Sequence, residues 1–238
     1  MSGFKRTNQT GVFVHVGDPS CDAAHQNLLI RLQKMGAPFD IAATEVGSRI
    51  KGNLGEFIAL HVALGGPYGA MQKHIGNALQ PLSRISGPGL DLIYVHFDAF
   101  DSSLDRLYIQ EIKTTGDVGL GYLDNLKSDY KKLFAPDPQF TLQTRISALA
   151  NKFELEQNNA GYAERVIKLG GTTPQESVRV QLMPTGIHDL ASSDPVAKML
   201  MIRSSIMGFG WNSVQIEPWS IGLSSLEKRL LRLLKGQQ

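Results

Sequence analysis

The sequence predicts an α/β fold in which helices flank a mixed central sheet. Two stretches, residues 90–97 and 104–115, are rich in the β-branched and aromatic residues of strands and are separated by a polar turn. Stretches with apolar residues at helical spacing lie on both sides of them, at residues 44–64 and 122–134. With 238 residues, of which 42% are apolar and 19% charged, the chain can bury a large core.

We expect a single domain over residues 1–238. Its core covers about residues 44–220, while a strand and helix at 11–36 and a helix at 224–236 are additions to that core. No internal repeat, low-complexity tract or linker divides the sequence.

The elements that precede the paired strands are predicted from turn residues and apolar spacing. Gly36 ends one helix, and three glycines in the next helix leave its start open between Thr44 and Asn53. In order, the expected elements are a loose polar segment at 1–10, a strand at 12–16, helices at 21–35 and 44–64, and a helix-like piece at 71–79.

The elements that follow the strands are predicted in the same way. Pro136 and Pro138 break the chain after one helix, and Asp194 followed by Pro195 is typical of a helix start. In order, we expect helices at 122–134 and 140–156, a loop at 157–164, a strand at 177–184, a helix at 194–207, a strand at 213–219 and a basic amphipathic helix at 226–234.

The two central strands bring three charged residues together if they form an antiparallel hairpin centred on Asp101. Paired residue numbers then sum to 202, so Asp91 lies opposite Glu111 because 91 + 111 = 202. Side chains alternate along a strand, so Lys113 shares the face of Glu111. The sequence therefore predicts one polar cluster of two acids and one lysine.

Two carboxylates that face each other across a hairpin repel, so they need a proton or a cation. Carboxylates are the ligands that Mg²⁺ prefers, and this ion commonly takes one or two of them together with a substrate phosphate. Lys113 adds a positive group that can hold a phosphate oxygen or orient the attacking water. The alternative is an ordinary charged face of an edge strand, with Asp91 bonded to its own turn.

Asp91 followed by Glu111-Ile112-Lys113 on the next strand resembles the signature of the PD-(D/E)XK nucleases. The resemblance implies a restriction-endonuclease-like fold and Mg²⁺-dependent hydrolysis of DNA, with Mn²⁺ as a possible substitute. It implies that Asp91, Glu111 and the Ile112 carbonyl bind the metal and that Lys113 acts on the water. One departure is Leu90, which stands where the signature has proline; many members lack that proline, and Pro88 lies close by.

Glu56 allows two interpretations. As the third residue after Asn53 it completes a capping box at the start of a helix. In the nucleases that the chain resembles, a Glu in the first core helix often contributes to the metal site, which implies a catalytic role for Glu56.

The helix at 122–134 is the candidate nucleic-acid surface. Lys127, Tyr130 and Lys131 lie on it, and lysines beside a metal site can meet a phosphate backbone while a tyrosine stacks or donates a hydrogen bond. The alternative for the lysines is a solvated helix face. Leu126 occupies the position where some nuclease relatives carry Gln, four residues before the tyrosine.

A helix with Gly55-Glu56, a glycine-rich lead to Asp91 and then Glu111-Ile112-Lys113 is also similar to the nuclease subunit of Hachiman-type antiviral defence systems. This resemblance implies a helicase (ATPase) partner protein. A homodimer is a further possibility, and the alternative function is a non-cleaving nuclease-fold subunit that binds nucleic acid or assists assembly.

Composition bounds these expectations. The net charge of +2 neither requires nor excludes a nucleic-acid partner. The lone Cys21 and the scattered histidines provide no disulfide and no zinc spacing, and no Walker motif or G-x-S-x-G elbow is present. Without a signal peptide or an apolar run of about 20 residues, we expect a cytoplasmic protein without a membrane partner.

Overall fold

Seven strands form one mixed sheet in the computed structural model, which describes residues 4–17, 44–65, 74–76, 91–133, 142–155, 160–170 and 179–235. The strands are β1 Phe4–Gln9, β2 Val12–Gly17, β3 His74–Gly76, β4 Leu92–His96, β5 Arg106–Thr115, β6 Val180–Asp189 and β7 Trp219–Leu223. Their order across the sheet is β1-β2-β7-β6-β5-β4-β3. The four central strands β2, β7, β6 and β5 run parallel, and antiparallel pairs close both edges.

The described ranges also contain six α-helices that cover both faces of the sheet. They are α1 Ser48–Gly65, α2 Asn125–Leu133, α3 Leu142–Leu155, α4 Ala160–Gly170, α5 Pro195–Met207 and α6 Leu226–Leu234. One apolar core lies under α1 and α6, and a second lies under α2, α3, α4 and α5. The alternation along β5 explains the division, because Leu107 and Ile109 enter the second core while Ile112 enters the first. The predicted mixed α/β sheet flanked by helices is confirmed.

The predicted hairpin register is also confirmed. In the β4–β5 ladder Leu92 pairs with Gln110 and Ile93 with Ile109, so each pair of numbers sums to 202. Asp101 caps the short 3₁₀ turn Ser102–Leu104 between the strands. The strands themselves begin two residues later than predicted, and α5 and α6 match their predicted ranges closely.

Two predictions failed at the N-terminal edge and after α3. Residues 4–9, predicted to be loose, form edge strand β1, which a Thr10-Gly11 turn with φ of 51° and 88° joins to β2. Edge strands commonly carry charged and polar residues, so β1 lacks the alternating apolar residues from which strands are predicted. The predicted loop 157–164 overlaps α4, which buries Ala163, Val166 and Leu169 at helical spacing. The polar residues and the glycine at the start of this segment led to the prediction of a loop.

Two strand boundaries also differ. Residues 74–76 form β3 rather than part of a helix, and β7 begins at Trp219 because Asn212 and Gln215 form a capping box around a 3₁₀ turn. The predicted helix at 21–35, with Cys21, lies outside the described residues. β2, expected as an addition to the core, pairs with β7 within the sheet. Among the described helices, none has both the length and the apolar character to cross a bilayer.

Candidate active site

The site begins where β5 continues past the start of β4. β4 starts at Leu92, whereas β5 extends to Thr115, so the last residues of β5 have no β4 neighbour. The amide of Ile112 instead donates to Oδ2 of Asp91 at 2.6 Å. This hydrogen bond holds the Asp91 carboxylate next to Glu111, as the register predicts.

A close approach between α1 and β5 brings Glu56 to the same place. A Cβ built on Gly55 would overlap Oγ1 of Thr114 and lie 3.1 Å from its Cβ. Glycine at this position therefore lets the helix pack directly on the strand. Glu56, the next residue of α1, consequently reaches the end of β5.

These elements enclose a cleft of about 550 Å³. Its walls come from the start of α1, the entry to β4, the end of β5 and the segment before α2. The lining residues are Ser48, Lys51, Gly52, Glu56, Asp91, Ile112, Lys113, Thr114, Thr115 and Tyr122. Glu111 lies behind this wall with only 4% of its surface exposed.

Burial and mutual repulsion raise the pKa values of the three acids. Burial, followed by the charge of Asp91, raises the pKa of Glu56 to about 8. Burial raises the pKa of Asp91 to about 6, although Lys113 and the Ile112 amide oppose the shift. Burial and Asp91 also raise the pKa of Glu111 well above its usual value. The cluster thus has more negative groups than the neighbouring cation can neutralise.

Lys113 is the cation of this cluster, and α2 holds it in place. Its Nζ lies 2.5 Å from Oδ2 of Asp129. Burial alone would lower the pKa of Lys113, but Asp91, Asp129 and Glu111 outweigh burial and raise it. Lys113 therefore keeps its proton at neutral pH.

The donor set fits a hard divalent cation. Within the described ranges no three Asp, Glu, His or Cys groups are already arranged around one ion position. Mg²⁺ does not need such a cage, because it retains waters and takes one or two carboxylates plus substrate phosphate. Burial and the charge of Asp91 disfavour the ionised Glu111 carboxylate, and a cation beside the two acids would offset both effects.

No protein-family model matches this sequence. A comparison with curated proteins likewise finds no significant match. Function must therefore be inferred from the residues of the cleft, their burial and their charges.

The predicted nucleic-acid contact of Tyr130 is wrong, because this side chain is fully buried. Its hydroxyl accepts from the amide of Glu111 at 3.2 Å and donates to the carbonyl of Ile109 at 3.1 Å. Pro184 stands opposite Glu111 on β6 and has no N–H to give to the ladder. Tyr130 thus supports the backbone of β5 from inside the core.

The two predicted lysines lie on α2 but outside the lining of the cleft. Lys127 pairs with Asp124 at 2.8 Å, and the same carboxylate also pairs with Lys198 at 2.7 Å. Lys131 is exposed. The lysines that the structure does place at the cleft are Lys51 and Lys113.

The sequence analysis missed Lys51 and Asp129. Asp129 approaches Lys113 only because α2 packs against β5, and no local pattern encodes that contact. Lys51 precedes Glu56 by five residues in α1. Once Glu56 is assigned to the site, the other polar residues of the same helix, Lys51 among them, become candidates for it.

Proposed function

We propose that this protein is a metal-dependent endonuclease of PD-(D/E)XK type that hydrolyses phosphodiester bonds in DNA. The observation that carries the proposal is that Asp91, Lys113 and Glu56 line one cleft, with Glu111 buried behind its wall and electrostatically coupled to Asp91. Acids with raised pKa values in a cleft are candidates for a functional site. A purely structural cluster would gain nothing from adding a third acid.

The topology supports a restriction-endonuclease-like fold as part of this proposal. The chain passes from α1 into the antiparallel strands β3, β4 and β5, then through helices into β6, which is parallel to β5. This places both acids of the motif on neighbouring strands and Glu56 on the helix before them.

In the proposed site Asp91 and Glu111 would hold Mg²⁺ (or Mn²⁺), the carbonyl of Ile112 would be an additional ligand, and Glu56 would act through a water. The bound metal would stabilise charge on the phosphate and lower the pKa of the attacking water. The hydrogen bond from Ile112 fixes one oxygen of Asp91, so the carboxylate is oriented before a ligand arrives.

Lys113 acts as a fixed cation rather than a base. Its raised pKa keeps it protonated, so it can donate to a phosphate oxygen or orient the water but cannot take a proton at neutral pH. Asp129 holds the ammonium group in position. This role is stabilisation of the negative charge that develops on the reacting phosphate.

The biological setting belongs to the same proposal. A DNA substrate, a role in antiviral defence or restriction, a helicase partner and a homodimer follow from the resemblance of the motif. The cleft itself supports only metal-dependent phosphodiester hydrolysis. Its acids can bind a divalent cation, and its lysines can bind the phosphates of a polyanion.

Incubation of supercoiled plasmid with the purified protein tests the proposal, with Mg²⁺, Mn²⁺ or EDTA. We expect nicking that EDTA abolishes and that falls by at least about 100-fold in Glu111→Ala and Lys113→Ala. Glu164→Ala is the matched control, because Glu164 is an exposed acid that pairs with Lys168 on α4. DNA binding without cleavage, equal in all variants, would instead indicate the non-cleaving binding subunit.

A further inference from the structure

We propose that Lys51 binds a backbone phosphate of the nucleic acid next to the one that is cleaved, and that Glu227 occupies this subsite in the free protein. The inference rests on the proposed function and names a substrate contact that the motif does not include. It also predicts a variant that gains affinity.

Lys51 lies in the wall of the cleft, in the same helix as Glu56. Its side chain is only 21% exposed, so the ammonium group stays close to the cleft rather than extending into solvent. The cleft needs such a cation, because Lys113 is already paired with Asp129 and three acids lie nearby. A polyanionic substrate would otherwise meet mainly negative charge.

Glu227, on α6, lies beside the cleft and contacts its wall through Lys51. Its carboxylate forms an ion pair with Nζ of Lys51 and lies over Gly116, the residue after β5. A Cβ built on Gly116 would overlap Oε1 of Glu227 and lie 2.9 Å from its Cγ. The carboxylate therefore lies between the end of β5 and the start of α1, where a phosphate that follows the cleft would pass.

A carboxylate and a phosphodiester compete for the same ammonium group. Glu227 is 49% exposed, and an exposed ion pair of this kind contributes little to stability. A nucleic-acid phosphate can therefore replace it at little cost. Rotation of the Glu227 side chain towards solvent would open the subsite without moving either helix.

The alternative is that the ion pair only fastens α6 to α1. In that case both single substitutions would lower stability and neither would change the dependence of DNA binding on salt. The two roles thus predict different results for the same variants.

The experiment measures binding of a fluorescein-labelled DNA duplex by anisotropy in EDTA over a range of NaCl concentrations. We expect Lys51→Ala to weaken binding about 5- to 10-fold and to reduce the log–log salt slope by about one, as loss of one phosphate contact does. Glu227→Gln should tighten binding about threefold. Lys51→Arg is the conservative control and should keep the wild-type slope.

The double variant Lys51→Ala/Glu227→Gln decides whether the two residues act on one subsite. We expect it to bind as weakly as Lys51→Ala, because Glu227 has no cation to release. A gain from Glu227→Gln that persists without Lys51, or an unchanged slope in Lys51→Ala, overturns the subsite. Thermal unfolding of each variant identifies any loss of folded protein. Wild-type protein that fails to bind DNA overturns the proposed function as well, whereas binding and cleavage with an unchanged slope overturn the subsite alone.

Discussion

The β4–β5 hairpin buries carboxylates at both ends, and the two ends differ in how many cations neutralise these carboxylates. At the loop end, Asp105 has no exposed surface. Arg165 of α4 donates two hydrogen bonds to the Asp105 carboxylate, from Nε at 2.8 Å and from Nη2. The amide of Asp98 donates a third at 2.9 Å. Arg165 also donates to the carbonyl of Asp98 at 2.7 Å, which fastens the loop. The buried Asp105 carboxylate therefore has a fixed cationic partner.

At the open end, the acids outnumber the cations. Asp91 and Glu111 have Lys113 beside them, but this lysine is shared with Asp129, and Glu56 adds a further acid. Burial therefore raises the acid pKa values here, whereas Asp105 is matched to a guanidinium group.

The difference teaches how to separate a structural buried acid from a functional one. A buried ion pair with complete hydrogen bonding serves the fold, because removing one partner leaves an uncompensated charge. A group of buried acids without enough cations costs stability unless protons or a bound cation neutralise it. The proposed function places the cation and the phosphate at the open end for this reason.

The largest expected effect is on stability at the loop end. Arg165→Met should lower the free energy of unfolding by about 3–5 kcal/mol, because Asp105 is left buried without its main partner. Urea denaturation measures this loss. The matched variant at the open end, Glu111→Gln, should leave stability unchanged or increased. Equal losses in both variants would mean that the two ends do not differ.

The second effect is the pH dependence of the open end. The pKa values of Asp91, about 6, and Glu56, about 8, lie above their unfolded values of 3.8 and 4.5. Folding thus favours proton uptake, so this stabilisation is complete below about pH 4 and is lost as pH rises through 6 and then 8. Thermal unfolding in EDTA should therefore show a falling melting temperature over this range.

Mg²⁺ should reverse that loss by replacing the protons. At 100 times its dissociation constant Mg²⁺ should add about 2.7 kcal/mol. At one fixed Mg²⁺ concentration the effect should be larger at pH 8 than at pH 5, because protons compete with the ion for the carboxylates. Glu111→Gln should lose the response, whereas Arg165→Met should retain it. A metal-free melting temperature that stays flat from pH 5 to 8 would contradict the raised pKa values.

The hairpin was predictable because its information is local. A polar turn between two apolar runs sets the register, and the register places Asp91 beside Glu111. The same reasoning does not find Arg165, which lies 60 residues after Asp105 and reaches it only through the packing of α4. Charges matched across long separations are properties of tertiary structure.

The wrong assignment of Tyr130 has a similar cause. On one helix, a tyrosine between lysines is typical of a surface, yet α2 turns Tyr130 inward and Lys131 outward. Its hydroxyl accepts from the amide of Glu111 and donates to the carbonyl of Ile109, both on β5. This pairing depends on the packing of α2 against the sheet, which the local sequence does not encode.

The smallest expected effect concerns the Tyr130 hydroxyl, which bonds the backbone of β5 at the open end and carries no charge there. Tyr130→Phe should cost about 1–2 kcal/mol of stability, because the Glu111 amide and the Ile109 carbonyl lose a buried partner. DNA affinity should stay at the wild-type value, since Tyr130 has no exposed surface. Tyr122→Phe is the matched control, because Tyr122 lines the cleft with 49% of its surface exposed and should leave stability unchanged. If urea denaturation shows no loss of stability for Tyr130→Phe while its DNA affinity falls, the hydroxyl contacts the substrate rather than supporting the backbone of β5.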